Sequence, residues 1–306
     1  FRKGLRGMSL QFIFGNSGSG KSHYLYEHII EESIKHPEQN YLVLVPEQFT
    51  MQTQKEFVMR HPRHGIMNID VLSFERLAYR ILEETGGADK VVLDDEGKNF
   101  VLRKVAAGKA DFLRVLGANI RKPGYISEVK SVISELAQYD VKANEMAPML
   151  EIAPEHSYLH YKLMDIQTLY QAFEDYLEEK YITREELLEL LCSQMGKSRI
   201  LKNAVVAMDG FTGFTPIQNK VLGELLACCE TVYVTVTIDL KEAPYQYGDK
   251  YQLFALSKQM VHALTEICRE RKIEVSEVRM PANPVYRFCE KPALGWMEKY
   301  LFRYPV

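Results

Sequence analysis

One short segment of the sequence combines the residue types that phosphate binding needs. It runs Gly15, Asn16, Ser17, Gly18, Ser19, Gly20, Lys21 and Ser22, which fits the pattern G-x-x-x-x-G-K-S. In such loops the backbone N–H groups wrap the phosphates, and the N-terminus of the following helix adds partial positive charge. We expect Lys21 to reach the β- and γ-phosphates and Ser22 to place its hydroxyl on Mg²⁺. The segment therefore predicts a site for ATP with Mg²⁺, the alternative being a glycine-rich turn that binds nothing.

A second candidate for this chemistry is Asp209, which follows the apolar run at residues 204–208. A carboxylate at the end of another strand is the usual second contact for the Mg²⁺ of a bound nucleotide, although it can also cap a turn. ATPases of this type usually carry a glutamate at the next position, where it activates the attacking water. Here that position is Gly210, and glycine cannot accept a proton. We therefore predict nucleotide binding without efficient hydrolysis and assign no catalytic residue.

The residues around these candidates show the pattern of an α/β protein. Apolar runs predict buried strands at residues 10–14, 41–45, 69–72, 204–208 and 232–238. The first run directly precedes the glycine-rich loop, and helical spacing follows the loop, which is the context that a phosphate-binding loop requires. Continuous apolar strands that alternate with helices favour a parallel sheet covered on both faces. We expect a P-loop NTPase fold.

The middle of the chain has a different periodicity. Between residues 95 and 200 the apolar residues recur almost throughout at helical spacing. One stripe comprises Ile166, Leu169, Tyr170, Phe173 and Leu177. Thr183 and Glu186 form the T-x-x-E pattern of a capping box in front of a further helix. The sequence therefore predicts an all-helical subdomain inserted between the third and fourth strands.

Composition limits the remaining possibilities. The 306 residues carry 38 basic and 41 acidic side chains, a net charge of -3, so any contact with DNA must come from local patches. No apolar run reaches the roughly 18 residues that a membrane span needs. The cysteines, Cys192, Cys228, Cys229, Cys268 and Cys289, form no C-x-x-C pair. We expect reduced thiols in a cytoplasmic protein without a membrane segment.

Several ordered segments together resemble a known family. Residues 205–218 resemble motif II of UvrD-like superfamily 1 helicases, with Asp209, Phe211, Pro216 and Gln218 in register. Residues 45–50 lie where motif Ia would lie, and residues 71–78 look like the T-F-H-S-x-A segment of those helicases. With the intact phosphate loop, this mixture resembles the N-terminal part of the AddB family, the B subunits of bacterial AddAB helicase/nucleases. The resemblance spans about residues 8 to 280.

The resemblance implies a domain organisation. Residues 8–90 would form the first part of a RecA-like helicase 1A domain and residues 91–202 a 1B-like helical insertion. Residues 203–306 would form the second part of the 1A domain, with a degenerate Walker B motif. The family's second motor domain and nuclease domain, with its iron–sulfur cluster, are expected to lie outside this chain. The arginines that complete the ATP site are expected in that second motor domain.

The resemblance also implies a function. AddB-type subunits act in double-strand break repair as partners of an AddA-type helicase/nuclease subunit, which is the motor of the heterodimer. They contact single- and double-stranded DNA, and their N-terminal half is implicated in recognising the Chi sequence. Two other functions stay open from the residues alone. These are a P-loop small-molecule or nucleotide kinase and an active superfamily 1 helicase fragment, which Gly210 disfavours.

Four residues are candidates for DNA contact. Gln48 and Thr50 follow the second predicted strand, where motif Ia residues touch the DNA backbone. Phe74 and Arg76 are of the types that stack on or bind a single strand. The alternatives are polar loop positions without a role, helix packing for Phe74 and simple solvent exposure for Arg76.

Overall fold

The computed structural model describes residues 8–87, 90–120, 122–178, 180–248, 250–281 and 285–301. The chain divides into two compact units. The first comprises Phe1–Thr85, Cys192–Phe214 and Gln218–Val306, and the second comprises Gly86–Leu191 and Thr215–Ile217. Among the described helices, none combines the length and the apolar character of a membrane span.

The strands and helices alternate along most of the chain. The strands are β1 Ser9–Gly15, β2 Tyr41–Leu44, β3 Ile69–Leu72, β4 Val91–Val92, β5 Tyr181–Ile182, β6 Val205–Met208, β7 Thr231–Thr237 and β8 Glu274–Arg279. The helices are α1 Lys21–Lys35, α2 Thr50–Arg60, α3 Phe74–Thr85, α4 Asp95–Lys109, α5 Pro123–Gln138, α6 Ala147–Ile152, α7 Tyr158–Leu177, α8 Arg184–Met195, α9 Pro216–Cys228, α10 Ala255–Arg271 and α11 Pro292–Tyr300.

The first unit is built on a six-stranded sheet with the order β3-β2-β6-β7-β1-β8. Every described pairing in it is parallel. The predicted α/β fold with a parallel sheet is therefore confirmed, and all five predicted strands are present. Because the strands are parallel, the segments that follow β1 and β6 emerge at the same edge of the sheet, which is where open α/β sheets bind ligands.

The apolar character of the central strands explains the position of the core. All four residues of β2 are buried, and Leu10, Phe12 and Ile13 of β1 are inaccessible. Helix α1 buries Leu25 and Ile29 toward this core. Burying each such aliphatic side chain contributes about 1.5–3 kcal/mol. The dense packing around β1 and α1 fixes the two ends of the loop that joins them.

The second unit is mainly helical, as the periodicity predicts. The predicted stripe of α7, Ile166, Leu169, Tyr170, Phe173 and Leu177, is buried in its core. The predicted capping box is confirmed: the Thr183 N–H donates to Glu186 Oε2 at 2.6 Å, and the Glu186 N–H donates to Thr183 Oγ1 at 3.2 Å. The prediction of an all-helical block was wrong in one respect, because it missed β4 and β5. Each of these strands has two residues, which are too few to show the two-residue hydrophobic period of a strand.

Candidate nucleotide site

The glycine-rich loop joins the carboxyl end of β1 to the start of α1. β1 ends at Gly15, and α1 begins at Lys21 with Gly20 as its N-cap residue. The first turn of α1 contains no acidic residue, and no side chain caps it. The orphan N–H groups and positive dipole end of a helix of this length attract anions. The local geometry therefore suits a phosphate group at this loop.

Gly18 shows why the loop needs glycine. Its φ angle is +78°, a left-handed conformation that other residues rarely adopt. A Cβ built on Gly18 would lie 2.6 Å from the Cβ of Arg287, which is too close for any side chain. The loop thus keeps its shape and its contact with residue 287 only because position 18 has no side chain.

Lys21 lies inside the loop rather than in solvent. Its Nζ donates to the carbonyl oxygens of Gly15 at 3.0 Å and Asn16 at 2.9 Å, and the residue is 8% exposed. Burial lowers the pKa of Lys21 to about 8, with an opposing contribution from Asp209 and a further lowering by Arg287. An anionic ligand would favour the charged form of this amine. The ammonium group therefore lies within the loop, and a phosphate role for it stays a prediction.

Asp209 lies at the carboxyl end of β6 and is 6% exposed. Its Oδ1 accepts hydrogen bonds from the hydroxyls of Ser22 at 3.1 Å and Thr235 at 2.6 Å. Its Oδ2 accepts one from the phenol of Tyr26 at 2.7 Å. Burial, together with the Asp209 charge, raises the pKa of Tyr26 far above its usual value, so the phenol keeps its proton. The structure thus brings the predicted magnesium ligands, Ser22 and Asp209, into contact.

The backbone at Gly210 adopts a conformation that favours glycine over the glutamate usual at this position. Its φ angle is +78°, and a built Cβ would meet only the Cδ of Pro46, at 3.6 Å. There is room for a side chain, but the left-handed conformation costs a non-glycine residue about 1–2 kcal/mol. The turn after Asp209 is therefore shaped for glycine, and no carboxylate projects from it.

The segment after β8 also contacts the loop. The Arg287 backbone N–H donates to the Gly18 carbonyl at 3.4 Å, and its guanidinium Nη1 donates to Ser17 Oγ at 3.4 Å. From α11, the Glu298 Oε1 accepts from the Asn16 amide at 3.5 Å. Arg287 and Glu298 were not predicted from the sequence, because no motif marks them. They lie 270 and 282 positions from the loop residues that they contact. The loop thus has a nearby guanidinium from within this chain, besides the arginines expected in a second motor domain.

Two buried polar atoms at the loop lack partners. The Ser19 hydroxyl, in a residue 1% exposed, and the Asn16 Oδ1 make no hydrogen bond within the part of the chain that the structure describes. An unpaired buried polar group costs about 1–3 kcal/mol. A phosphate oxygen would accept from Ser19, so this orphan hydroxyl fits a site completed by an anionic ligand.

A groove of about 620 Å³ runs beside Gly20 at the start of α1. Its lining includes His23, Tyr24, Glu27, His28, Met280 and Tyr286. The Tyr286 ring approaches within 3.7 Å of a Cβ built on Gly20. Aromatic and thioether side chains next to a phosphate loop form a surface on which a planar base can stack. No sequence pattern marks this groove, because its walls come from α1 and from the distant segment after β8.

The four candidates for DNA contact lie after β2 and β3 and differ in exposure. Gln48 is exposed, whereas Thr50 is buried and its hydroxyl donates to the Glu47 carbonyl at 2.9 Å. Arg76 is exposed, and its Nε donates to Glu47 Oε1 at 3.2 Å. The Arg76–Glu47 contact joins the segment after β2 to the start of α3. A role in DNA contact stays a prediction for all four residues.

Phe74, the remaining candidate, is buried in an aromatic cluster. Its ring centroid lies 5.6 Å from that of Phe211 and 6.2 Å from that of Phe214, both edge-on. Such pairs contribute about 0.5–1.5 kcal/mol beyond the area that they bury. The cluster supports the backbone that follows Asp209.

The parallel sheet, the lysine-containing loop after β1 and the carboxylate after β6 define an α/β domain with the features of a phosphate site. The family described as "ADDB, N-terminal" matches residues 12–298, and the chain belongs to this family. Relatives that are similar over nearly the whole chain are named as the B subunit of an ATP-dependent helicase/deoxyribonuclease. The relative from Lachnoclostridium phytofermentans is 47% identical over 302 residues, covering 97% of this chain and 26% of the relative.

Two further relatives of the same name come from other bacteria. That from Clostridium tetani is 32% identical over 302 residues, covering 97% of this chain and 26% of the relative. That from Bacillus cereus is 33% identical over 300 residues, covering 96% of this chain and 25% of the relative. The chain therefore spans about a quarter of the length of these relatives, and it matches their N-terminal part.

Proposed function

We propose that this chain is the N-terminal, nucleotide-binding region of the B subunit of an ATP-dependent helicase/deoxyribonuclease that acts in double-strand break repair. The observation that carries the proposal is the position of Lys21, whose ammonium group lies inside the glycine-rich loop on two backbone carbonyls. The unpaired Ser19 hydroxyl and the contact between Ser22 and Asp209 support it. The relatives are named as ATP-dependent, which supports ATP as the nucleotide.

The residues at the loop fit a nucleotide in a P-loop NTPase arrangement. Lys21 and the first-turn N–H groups of α1 would hold the β- and γ-phosphates, and the Arg287 guanidinium lies close enough to join them. Ser22 would place its hydroxyl oxygen on Mg²⁺, which would neutralise phosphate charge when bound, while its hydroxyl proton is donated to Asp209. The base would enter the groove between Tyr24 and Tyr286. This chain would then contribute groups for the phosphates, the metal ion and the base, but no general base.

The region binds ATP but does not act as the motor. Gly210 offers no group to activate a water, and a competent site needs such a group. Translocation would then belong to a partner, an AddA-type helicase/nuclease subunit, in a heterodimer. The exposed Gln48 and Arg76 offer contacts for a single DNA strand that this region helps to scan for Chi.

The test of the proposal is a binding titration with a fluorescent ATP analogue. Wild type is expected to bind, and Lys21→Ala is expected to lose at least about ten-fold in affinity, or 1.4 kcal/mol. The matched control is Lys35→Ala, because Lys35 lies at the exposed end of the same helix and pairs only with Glu32 among described partners. Equal affinity of wild type and Lys21→Ala would overturn the proposal.

The DNA part of the proposal has a separate measurement. With a net charge of -3, the lone chain is expected to bind a labelled single strand weakly at about 150 mM salt. Addition of the AddA-type partner should strengthen binding, and Arg76→Ala should weaken the complex. Tight binding by the lone chain that Arg76→Ala leaves unchanged would contradict this part.

A further inference from the structure

The carboxylate of Asp209 is enclosed by three hydroxyl groups of its own domain. Ser22 and Thr235 donate to Oδ1, and Tyr26 donates to Oδ2. An ionised carboxylate has about four acceptor positions, two on each oxygen. Both positions on Oδ1 and one on Oδ2 are therefore occupied. One position, on Oδ2, is left for any further donor.

Two of the three donors are held firmly. Tyr26 is 4% exposed, and its ring packs on Phe57 with the centroids 4.6 Å apart. Thr235 is also 4% exposed and lies in β7, the strand next to β6. Buried side chains of this kind sit in single rotamers within a close-packed interior. Packing therefore holds Tyr26 and Thr235 against Asp209, and we expect the arrival of a ligand to leave their bonds to Asp209 in place.

Magnesium at a nucleotide usually keeps several of its water molecules, and protein carboxylates hold those waters as acceptors. A free carboxylate can receive two or more metal-bound waters, whereas Asp209 can receive one. The Asp209 charge is also shared among three donors before a metal arrives. The gain in binding free energy that Mg²⁺ provides at this site is correspondingly small.

We propose that Tyr26 and Thr235 convert Asp209 from a magnesium-binding group into a structural acceptor, so that this site binds nucleotide with little dependence on Mg²⁺. The inference rests on the proposed nucleotide binding at the same loop. Lys21 and Arg287 then supply most of the positive charge that offsets the phosphates. Such a site suits a protein that holds nucleotide without turning it over, because hydrolysis is what needs the metal in an exact position.

The experiment compares the dissociation constant of a fluorescent ATP analogue in Mg²⁺ and in EDTA. For wild type we expect the two constants to differ by less than about three-fold. In the double variant Tyr26→Phe/Thr235→Val, two acceptor positions become free, and Mg²⁺ should tighten binding by about ten-fold or more. Tyr41→Phe is the control, since this buried tyrosine donates to Gln39 Oε1 and not to Asp209.

The outcomes separate the inference from the function on which it rests. A ten-fold or larger magnesium effect in wild type, or an unchanged ratio in the double variant, would overturn the inference while nucleotide binding stands. Absence of binding in both media would remove the proposed function and the inference together. If circular dichroism shows that the double variant is unfolded, Tyr26→Phe alone frees one position, and its ratio should rise by about three-fold over wild type. An unchanged ratio in that single variant would also contradict the inference.

Discussion

The hydroxyl of Ser22 donates a hydrogen bond of 3.1 Å to Oδ1 of Asp209, although the two residues are 187 positions apart in the sequence. The contact exists because β1 and β6 belong to one parallel sheet, with β7 between them, and end at the same edge. It places a helix-start hydroxyl and a strand-end carboxylate beside the ammonium group of Lys21. This edge of the sheet is where the proposed nucleotide function can be tested.

Gly18→Ala is expected to weaken both folding and nucleotide binding. The added Cβ would lie 2.6 Å from that of Arg287, on a residue with a φ angle of +78°. The left-handed conformation alone costs about 1–2 kcal/mol, and relief of the clash must displace the loop or Arg287. Urea unfolding and the ATP-analogue titration measure the two effects.

Gly108→Ala is the matched control for that variant. Gly108 lies within α4 in an ordinary conformation, with no neighbour within 4 Å of a built Cβ. Alanine there should stabilise the chain by about 0.5–1 kcal/mol. If the two alanine variants had the same stability and affinity, the role given to Gly18 would be wrong.

Gly210→Glu restores the acid that superfamily 1 helicases carry, but we expect no restored hydrolysis. The φ angle of +78° at this position should make the variant less stable by about 1–2 kcal/mol, and this chain would still lack the arginines expected in a second motor domain. Gly210→Ala introduces the same strain without the acid and should lose a similar amount of stability. DNA-stimulated turnover by Gly210→Glu near 1 s⁻¹, about the lower range of competent phosphoryl-transfer enzymes, would contradict the prediction.

Arg287→Ala is expected to weaken ATP binding by about ten-fold, because a hydrogen bond to a charged group contributes about 1.5–3 kcal/mol. The guanidinium already lies 3.4 Å from the Ser17 hydroxyl of the loop, next to the proposed phosphate position. Arg80→Ala provides the comparison, since Arg80 pairs with Asp70 on β3. An ATP affinity equal to that of Arg80→Ala would show that Arg287 does not contact the phosphates.

Glu84 is expected to give the chain a pH-dependent share of its stability. Its carboxylate accepts from Ser198 Oγ at 2.5 Å and from the Arg199 N–H at 2.7 Å, just before the segment that leads to β6. Although burial opposes the effect, these hydrogen bonds hold the pKa of Glu84 below its usual value. The pKa of Glu84 is lower in the folded chain than in the unfolded chain. Its ionised carboxylate therefore stabilises the fold at pH values above the unfolded-state pKa. This stabilisation is lost as the pH falls through the folded-state pKa.

The measurement for Glu84 is the unfolding free energy of Glu84→Gln as a function of pH. Allowing for its solvent exposure, we expect a loss of about 1 kcal/mol at pH 7 that shrinks toward zero below about pH 4. Glu83→Gln is the neighbouring exposed control on α3 and should change stability little. A loss for Glu84→Gln that stays constant down to pH 3 would rule out the carboxylate charge as its cause.

The sheet was largely predictable because its central strands are buried on both faces and therefore appear as continuous apolar runs. β8 escaped prediction because it is an edge strand, in which the charged residues Glu274, Glu277 and Arg279 leave no continuous apolar run. At the site, the loop was evident because its glycines and lysine are adjacent in the sequence. The role of Tyr26 was not evident from the sequence. A tyrosine on the buried face of α1 gives the same helical spacing whether it only packs or also donates a hydrogen bond.

The central claim is that the chain holds ATP at this loop and leaves it intact. The most direct test is to incubate the purified chain with doubly labelled ATP, isolate the complex by rapid gel filtration and analyse the bound nucleotide. We predict close to one intact ATP per chain in the wild type and none in Lys21→Ala. Recovery of ADP in place of ATP, or an equal amount of nucleotide on Lys21→Ala, would contradict the claim.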